Sequence, residues 1–148
     1  MMKYGLLFAI IVIGFTSLFA GGQSAPKTNT YVAFDSRVKE RSLKAGGSGS
    51  ILFTLTPQKG IHVNVTPPLS LSLDSASLIS TAGKLRITKL DTLLDSSKPI
   101  IQPITLSAKA TAGPAILRGT LTYFYCSDSE GWCSKFNQPF EVKISVAK

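Results

Sequence analysis

The chain is poor in the residues that hydrolases and metal sites require, with one histidine and two cysteines among its 148 residues. One histidine and the absence of a G-x-S-x-G motif leave no serine–histidine–acid triad to assemble. Structural zinc normally takes four ligands, often with closely paired cysteines, whereas Cys126, Cys133 and His62 supply three at wider spacing. We therefore predict no metal, no cofactor and no hydrolytic centre.

Long hydrophobic runs are also scarce, because the chain has one, from Tyr4 to Phe19. A positive start precedes this run and small residues follow it at 20–22, which is the pattern of a secretory signal peptide. We predict a signal peptide over residues 1–22, a flexible polar leader over 23–30, and a periplasmic or secreted location. The alternative is an uncleaved membrane anchor, although the run is a little short of the ~20 residues that span a bilayer. Membrane contact is expected only through such an anchor or through a membrane-bound redox partner.

Acidic residues number half the basic ones, 8 against 16, and the formal net charge is +8. The basic residues do not cluster but alternate with apolar ones, as at Lys84, Arg86 and Lys143. Binding to nucleic acid requires a basic patch on one face. We therefore interpret the charge as a solvated surface and predict no nucleic-acid partner.

A helical period is missing beyond the apolar run, and a period of two takes its place. Ile51, Phe53 and Leu55 lie on one side of a predicted strand, with polar residues on the other side. The longest predicted strand covers 115–126, after a turn at 112–114. Further strands are predicted at 31–38, 61–65, 69–74, 84–88, 100–110 and 140–146. Seven or eight short strands favour an all-β fold, an antiparallel immunoglobulin-like β-sandwich over residues 31–148.

The two cysteines enclose a short loop at the end of the longest predicted strand. In an exported chain they are natural partners in a disulfide. Closing the loop from Cys126 to Cys133 stabilises a fold by ~2.5 kcal/mol, against ~4.7 kcal/mol for a hundred-residue loop. This modest structural return favours a redox role, although many structural disulfides also close small loops. Asp128 and Glu130 in the loop disfavour a thiolate, and the nearest lysine is Lys135.

Strand parity places Cys126 on the same face as Phe124 and on the opposite face from Tyr125. If the tyrosine faces the core, Cys126 points away from it. Phe124 and Trp132 are then expected to flank the sulfurs and to offer apolar surface to a partner protein. The alternative is that Trp132 caps the end of the core.

These segments resemble a known family. The run from Pro103 to Cys133, in which a strand ends Leu-Thr-Tyr-Phe-Tyr-Cys and a second cysteine follows one loop later, resembles the N-terminal periplasmic domain of the thiol:disulfide interchange protein DsbD. The segment Lys59–Asn64 resembles the glycine-led strand of that family. The resemblance extends from Tyr31 to Val146 and implies an immunoglobulin-like fold.

The resemblance also implies a function, in which Cys126 and Cys133 pass electrons from a thioredoxin-like domain to periplasmic acceptors. In that family an aromatic-containing cap loop shields the cysteines. The matching segment here, 90–97, has no aromatic residue, and Leu93 is the candidate cap. The loop between the cysteines is one residue longer than in the best-known members. Because the family's membrane and thioredoxin-like domains are not part of this sequence, a stand-alone copy is expected to meet those partners on other chains.

Two functions remain open from the sequence. The first is a thiol–disulfide exchange module, a possible component of protein-disulfide reduction, which acts with a thioredoxin-like protein and other exported thiol proteins. The second is a non-catalytic binding or adaptor domain that carries a structural disulfide. A reduction potential below about −300 mV would indicate the structural bridge.

Overall fold

The computed structural model describes residues 28–74 and 77–148, so the predicted signal peptide and residues 23–27 of the predicted leader lie outside the described residues. The described part of the chain forms strands and turns, and contains no helix that is long and apolar enough to cross a membrane. Its strands are β1 (Val32–Val38), β2 (Leu43–Lys44), β3 (Ser48–Pro57), β4 (Ile61–Asn64), β5 (Ser70–Leu73), β6 (Ile79–Ala82), β7 (Lys89–Leu90), β8 (Leu93–Leu94), β9 (Ile100–Leu106), β10 (Gly113–Ser127) and β11 (Cys133–Ala147).

The strands form two sheets. The first has the order β1-β3-β9-β6, and its pairs are antiparallel. The second has the order β2-β11-β10-β4-β8-β7, with β5 paired to β10 as well. Short β2 runs parallel to β11, which makes the second sheet mixed rather than purely antiparallel as predicted.

The core lies between the two sheets and follows the predicted alternation. Ile51, Phe53 and Leu55 of β3 are at most 2% exposed. Phe53 meets Phe140 of β11 edge to face, with ring centroids 4.8 Å apart, and so joins the first sheet to the second. On β10, Tyr123 is fully buried on the same side. The predicted all-β fold, with two packed sheets, is thus confirmed.

One predicted strand, 84–88, is wrong. This segment makes an isolated bridge between Arg86 and Ile101, while Leu85 and Ile87 pack partly buried against the core. Pro103 lies on β9 between this bridge and the residues that pair with β6. Because proline has no N–H to donate, the pairing on this side of β9 is interrupted at Pro103, whereas the ladder with β3 on the other side continues past it.

Strands β10 and β11 are longer than predicted. Strand β10 begins at Gly113, within the predicted turn, and β11 begins at Cys133 rather than at residue 140. The start of β11 was hidden because Gln138, a polar residue, takes an inward position and is 5% exposed. Its side-chain amide donates to the carbonyl of Pro139 at 3.0 Å, which satisfies one of its polar groups inside the fold.

The β10–β11 hairpin positions the cysteines. Its register runs through fourteen residue pairs, from Gly113↔Val146 to Cys126↔Cys133. Strand β4 lies on the other side of β10 and pairs with residues 124–127, next to the hairpin's end. The chain between the cysteines therefore leaves the sheet at an edge where three strands lie side by side.

Candidate functional site

The two cysteines form a disulfide across the last residue pair of the hairpin. Their α-carbons are 4.0 Å apart. The next pair outward is hydrogen-bonded, with the N–H of Ser127 donating to the carbonyl of Trp132 at 2.9 Å. In an antiparallel ladder the pair beside a hydrogen-bonded pair is the closer one. The register therefore brings the side chains of Cys126 and Cys133 together at bridging distance.

The two halves of this bridge differ in exposure. Cys126 is 6% exposed, whereas Cys133 is exposed. Parity placed Cys126 outside the core, and it is not a member of the core cluster. It is nevertheless buried, and its sulfur is joined to Cys133 and accepts a hydrogen bond from Asn64 of β4. A molecule that approaches from solvent therefore meets Cys133 before Cys126.

Strand β4 contributes two side chains to the sulfur-bearing face of the sheet. Directly opposed residues in a ladder share a face. His62 is opposite Cys126, and Asn64 is opposite Phe124. The amide Nδ2 of Asn64 donates a hydrogen bond to Sγ of Cys126 at 2.9 Å. Asn64 was not a predicted site residue, although its outward position on the predicted strand two residues after His62 is a signal that could have identified it.

His62 holds the loop between the cysteines. Its Nδ1 lies 2.8 Å from Oδ1 of Asp128, a close contact that lacks the alignment of a regular hydrogen bond. The backbone N–H of Asp128 also donates to the carbonyl of Gly60 at 3.1 Å. These two contacts fasten the loop to the start of β4. They also place one carboxylate near the cysteine pair.

Phe124 and Leu93 lie in the row of residues next to the sulfurs. The register runs from Lys135 through Phe124 and Asn64 to Leu93, across β11, β10, β4 and β8. Phe124 and Leu93 are both half-buried, and neither belongs to the core cluster. The structure thus brings these two predicted partner-binding residues to the face that carries Cys126; their role in binding stays a prediction.

Trp132 lies on the other side of the hairpin's end. Its ring packs against Tyr125 and Tyr31, with centroids 5.7 Å and 5.1 Å away, and it is half-buried against the core. Its indole N–H donates to the carboxylate of Glu130. This position matches the capping alternative, and Tyr31 is a member of the cluster that the sequence did not reveal. A partner-binding role for Trp132 remains a prediction.

Behind Leu93 a polar turn closes the predicted cap segment. The side-chain hydroxyl and backbone N–H of Ser97 donate to Oδ1 of Asp95 at 2.6 Å and 3.0 Å. Both hydrogen bonds lower the pKa of Asp95, and the one from the hydroxyl has the largest effect. Leu94 beside it points into the core and is 6% exposed. The turn therefore anchors β8, which places Leu93 beside Asn64.

The three residues that the sequence analysis weighed as metal ligands and set aside also lie at this edge. Cys133, Cys126 and His62 form one row across β11, β10 and β4. Both sulfurs are used in the disulfide, whereas zinc binds cysteine as the thiolate. Within residues 28–74 and 77–148, no group of three or more metal-ligating side chains is assembled.

Comparisons with known proteins give structural likenesses and no family. No family model matches the chain, and no curated protein matches its sequence. One similar solved structure is the reduced N-terminal domain of DsbD from Neisseria meningitidis, at 16% identity and a TM-score of 0.37, covering 78% of this chain and 86% of that one. Another is the ZirS C-terminal domain, at 12% identity and a TM-score of 0.38, covering 100% of this chain and 88% of that one. The DsbD N-terminal domain is thus found as a distant structural neighbour of this chain, whose own cysteine pair lies at disulfide distance.

Proposed function

We propose that the chain is an exported thiol–disulfide exchange module. Its Cys126–Cys133 pair passes reducing equivalents between a thioredoxin-like dithiol protein and disulfide-bearing proteins outside the cytoplasm. The observation that supports this most is the asymmetry of the bridge, in which an exposed cysteine is joined to a buried one. Exchange requires an accessible sulfur, because it proceeds by in-line attack through a mixed disulfide.

The exposed sulfur defines the steps of the exchange. A thiolate of the reduced partner attacks Sγ of Cys133, which forms a partner–Cys133 disulfide and breaks the Cys126–Cys133 bond. The electron pair of the broken bond passes to Sγ of Cys126, which takes a proton from solvent. The partner's second thiolate then attacks the partner's own bridged sulfur and releases Cys133 as a thiolate. The partner leaves as a disulfide, and this chain becomes a dithiol that reduces an acceptor by the same steps in reverse.

The hairpin gives a second reason to prefer exchange over a structural staple. Strands β10 and β11 already pair through fourteen residue pairs that end at the cysteines. A bridge at the last pair restricts chain segments that the ladder already holds together. Its stabilisation, ~2.5 kcal/mol for an eight-residue loop in the chain-entropy model, is at the low end for disulfides.

A non-catalytic adaptor with a structural disulfide is the second candidate function. The loop between the cysteines is held in two ways. Asp128 contacts His62 of β4 and bonds to the carbonyl of Gly60 just before that strand, and Glu130 accepts a hydrogen bond from the indole of Trp132. Two carboxylates near the sulfurs disfavour a thiolate. An adaptor needs no thiolate, and a fastened loop suits a bridge that stays closed.

The reduction potential separates the two candidates. The oxidised protein is equilibrated in dithiothreitol or glutathione buffers, and the thiols are counted after alkylation. An exchange module is expected to lie above about −300 mV, in the range of thioredoxin-like proteins. A value well below −300 mV would overturn exchange in favour of the adaptor.

A further inference from the structure

Asn64 of β4 donates a hydrogen bond to a cysteine sulfur, and within the described residues no other β4 side chain does so. Its Nδ2 lies 2.9 Å from Sγ of Cys126. The backbone of Asn64 pairs with Phe124 on one side and with Leu93 on the other, so the residue is held between two strands. The hydrogen bonds of the described residues include none to Sγ of Cys133. The donor is therefore fixed in place on the buried sulfur alone.

We infer that Asn64 is a positioning residue that makes Cys126 the leaving sulfur when the bridge is attacked. The inference rests on the proposed exchange function and deepens it, because it states what stabilises the sulfur that receives the electron pair. The side chain acts through Cys126 and does not contact the incoming partner's sulfur.

The chemistry of the donor explains the role. In the oxidised protein the amide N–H meets a neutral disulfide sulfur, which is a weak acceptor. When a thiolate attacks Cys133, negative charge develops on Sγ of Cys126, and the hydrogen bond becomes charge-assisted. Such bonds are roughly twice as strong as neutral ones. The amide therefore stabilises the broken state more than the closed one, and a better-stabilised leaving thiolate departs faster.

Burial makes this donor important. Cys126 is 6% exposed, so few water molecules can solvate a thiolate formed there. The nearby imidazole of His62 is in contact with the carboxylate of Asp128. An amide already aimed at the sulfur supplies stabilisation that solvent does not.

A purely structural role for Asn64 makes a different prediction. If the side chain merely fills its place on β4, Asn64→Asp, which has nearly the same shape, should behave like the wild type. If the side chain acts as a donor, Asn64→Asp should be worse than Asn64→Ala, because it replaces the N–H with a negative oxygen. Asn137→Ala is the matched control, since Asn137 is an exposed β11 residue that accepts from Thr122 at 2.9 Å and does not contact the sulfurs.

The test measures the second-order rate constant for reduction of the full chain by glutathione at fixed pH. We expect Asn64→Ala to lower this rate constant by about tenfold, because a less stabilised leaving thiolate departs more slowly. Asn64→Asp should lower it further, and Asn137→Ala should leave it unchanged. A constant for Asn64→Ala equal to that of Asn137→Ala, with wild-type exchange intact, would overturn the inference alone.

A second measurement needs no exchange and so separates this inference from the proposed function. In the Cys133→Ser protein, the Cβ chemical shift of ¹³C-labelled Cys126 is followed as a function of pH. When Asn64→Ala is combined with Cys133→Ser, the titration midpoint of the Cys126 thiol should move to higher pH. Asn64→Asp in the same background should move it further. Unchanged midpoints would overturn the role of Asn64. A wild-type protein that resists glutathione altogether would instead overturn the proposed exchange, whatever the titration gives.

Discussion

Cys126 and Cys133 lie directly opposite each other at the end of one hairpin, with α-carbons 4.0 Å apart, yet only Cys133 is exposed. Parity along β10 turns Cys126 away from the core, and the neighbouring β4 then covers it. The bridge is thus open from one side. This asymmetry assigns a different role to each sulfur in any exchange that the protein carries out.

The first prediction concerns the reactivity of each cysteine alone. In Cys126→Ser the remaining thiol is exposed, whereas in Cys133→Ser it is buried beside Asn64. The buried thiol of Cys126 reacts only after a local opening of the fold. An opening that costs ~1.4 kcal/mol slows its reaction about tenfold relative to the thiol of Cys133, and a costlier opening slows it more. The rate is measured with a chromogenic disulfide reagent in native buffer and in urea. Equal rates in native buffer would contradict the asymmetry, and equal rates in urea are the control.

The second prediction concerns stability without the bridge. Reduction should lower the free energy of unfolding by at most ~2.5 kcal/mol, because the bridge closes only an eight-residue loop. The fourteen-pair hairpin should keep the reduced protein folded. Urea unfolding of the oxidised and reduced forms, with Cys126→Ala/Cys133→Ala as a control for re-oxidation, measures the difference. Unfolding of the reduced form in the absence of urea would show that the bridge is a required structural element.

The third prediction concerns the charge in the loop. Asp128→Asn removes a carboxylate near the sulfurs and should favour the thiolate-bearing reduced form. Because Asp128 is largely exposed, the gain should be about two- to threefold in the reduction equilibrium, typical of a screened surface charge. Glu141→Gln, an exposed acidic residue paired with Arg118 on the same hairpin, is the control and should change little. An equilibrium that shifts toward the disulfide in Asp128→Asn would contradict the expected sign.

The fourth prediction concerns alkaline pH. Burial raises the pKa of Tyr123 from its usual value of 10.0 to about 12, against a smaller lowering by the hydrogen bond from Asn29. Because the pKa of Tyr123 is higher in the folded protein than in the unfolded chain, the neutral phenol stabilises the fold fully below pH 10.0. This stabilisation is lost as the pH rises toward about 12.

Tyr123→Phe tests this directly, because it removes the ionising group and keeps the ring. Its urea midpoint should fall less steeply above pH 10 than that of the wild type, while at pH 7 it should lose about 0.5–1.5 kcal/mol with the hydrogen bond from Asn29. Parallel pH profiles for the two proteins would show that Tyr123 ionises equally in both states.

The fold could be predicted where alternation was strict. Ile51, Phe53 and Leu55 show both the strand and its buried face, because apolar and polar residues change places at every step. The alternation fails to reveal the start of β11, where buried Gln138 breaks it. It is also misleading at residues 84–88, where the pattern is present but Pro103 on the neighbouring strand prevents continuous pairing.

The site could be predicted in part for similar reasons. Strand parity is enough to turn Cys126 away from the core, because β10 continues without interruption up to it. The face of Trp132 could not be read, because a turn separates it from that strand and resets the parity. The contact between Asn64 and Cys126 joins residues 62 positions apart. Only the pairing of β4 with β10, a choice among many possible strand partners, brings the two together.

Exchange at Cys133 is tested most directly by locating the mixed disulfide. A thioredoxin-like domain whose second active-site cysteine is replaced by serine attacks the oxidised wild-type chain, and the adduct is mapped by mass spectrometry. We expect the partner to be joined to Cys133, with Cys126 free for alkylation. An adduct on Cys126, or no adduct under conditions in which the same domain traps a known substrate, would contradict this mechanism.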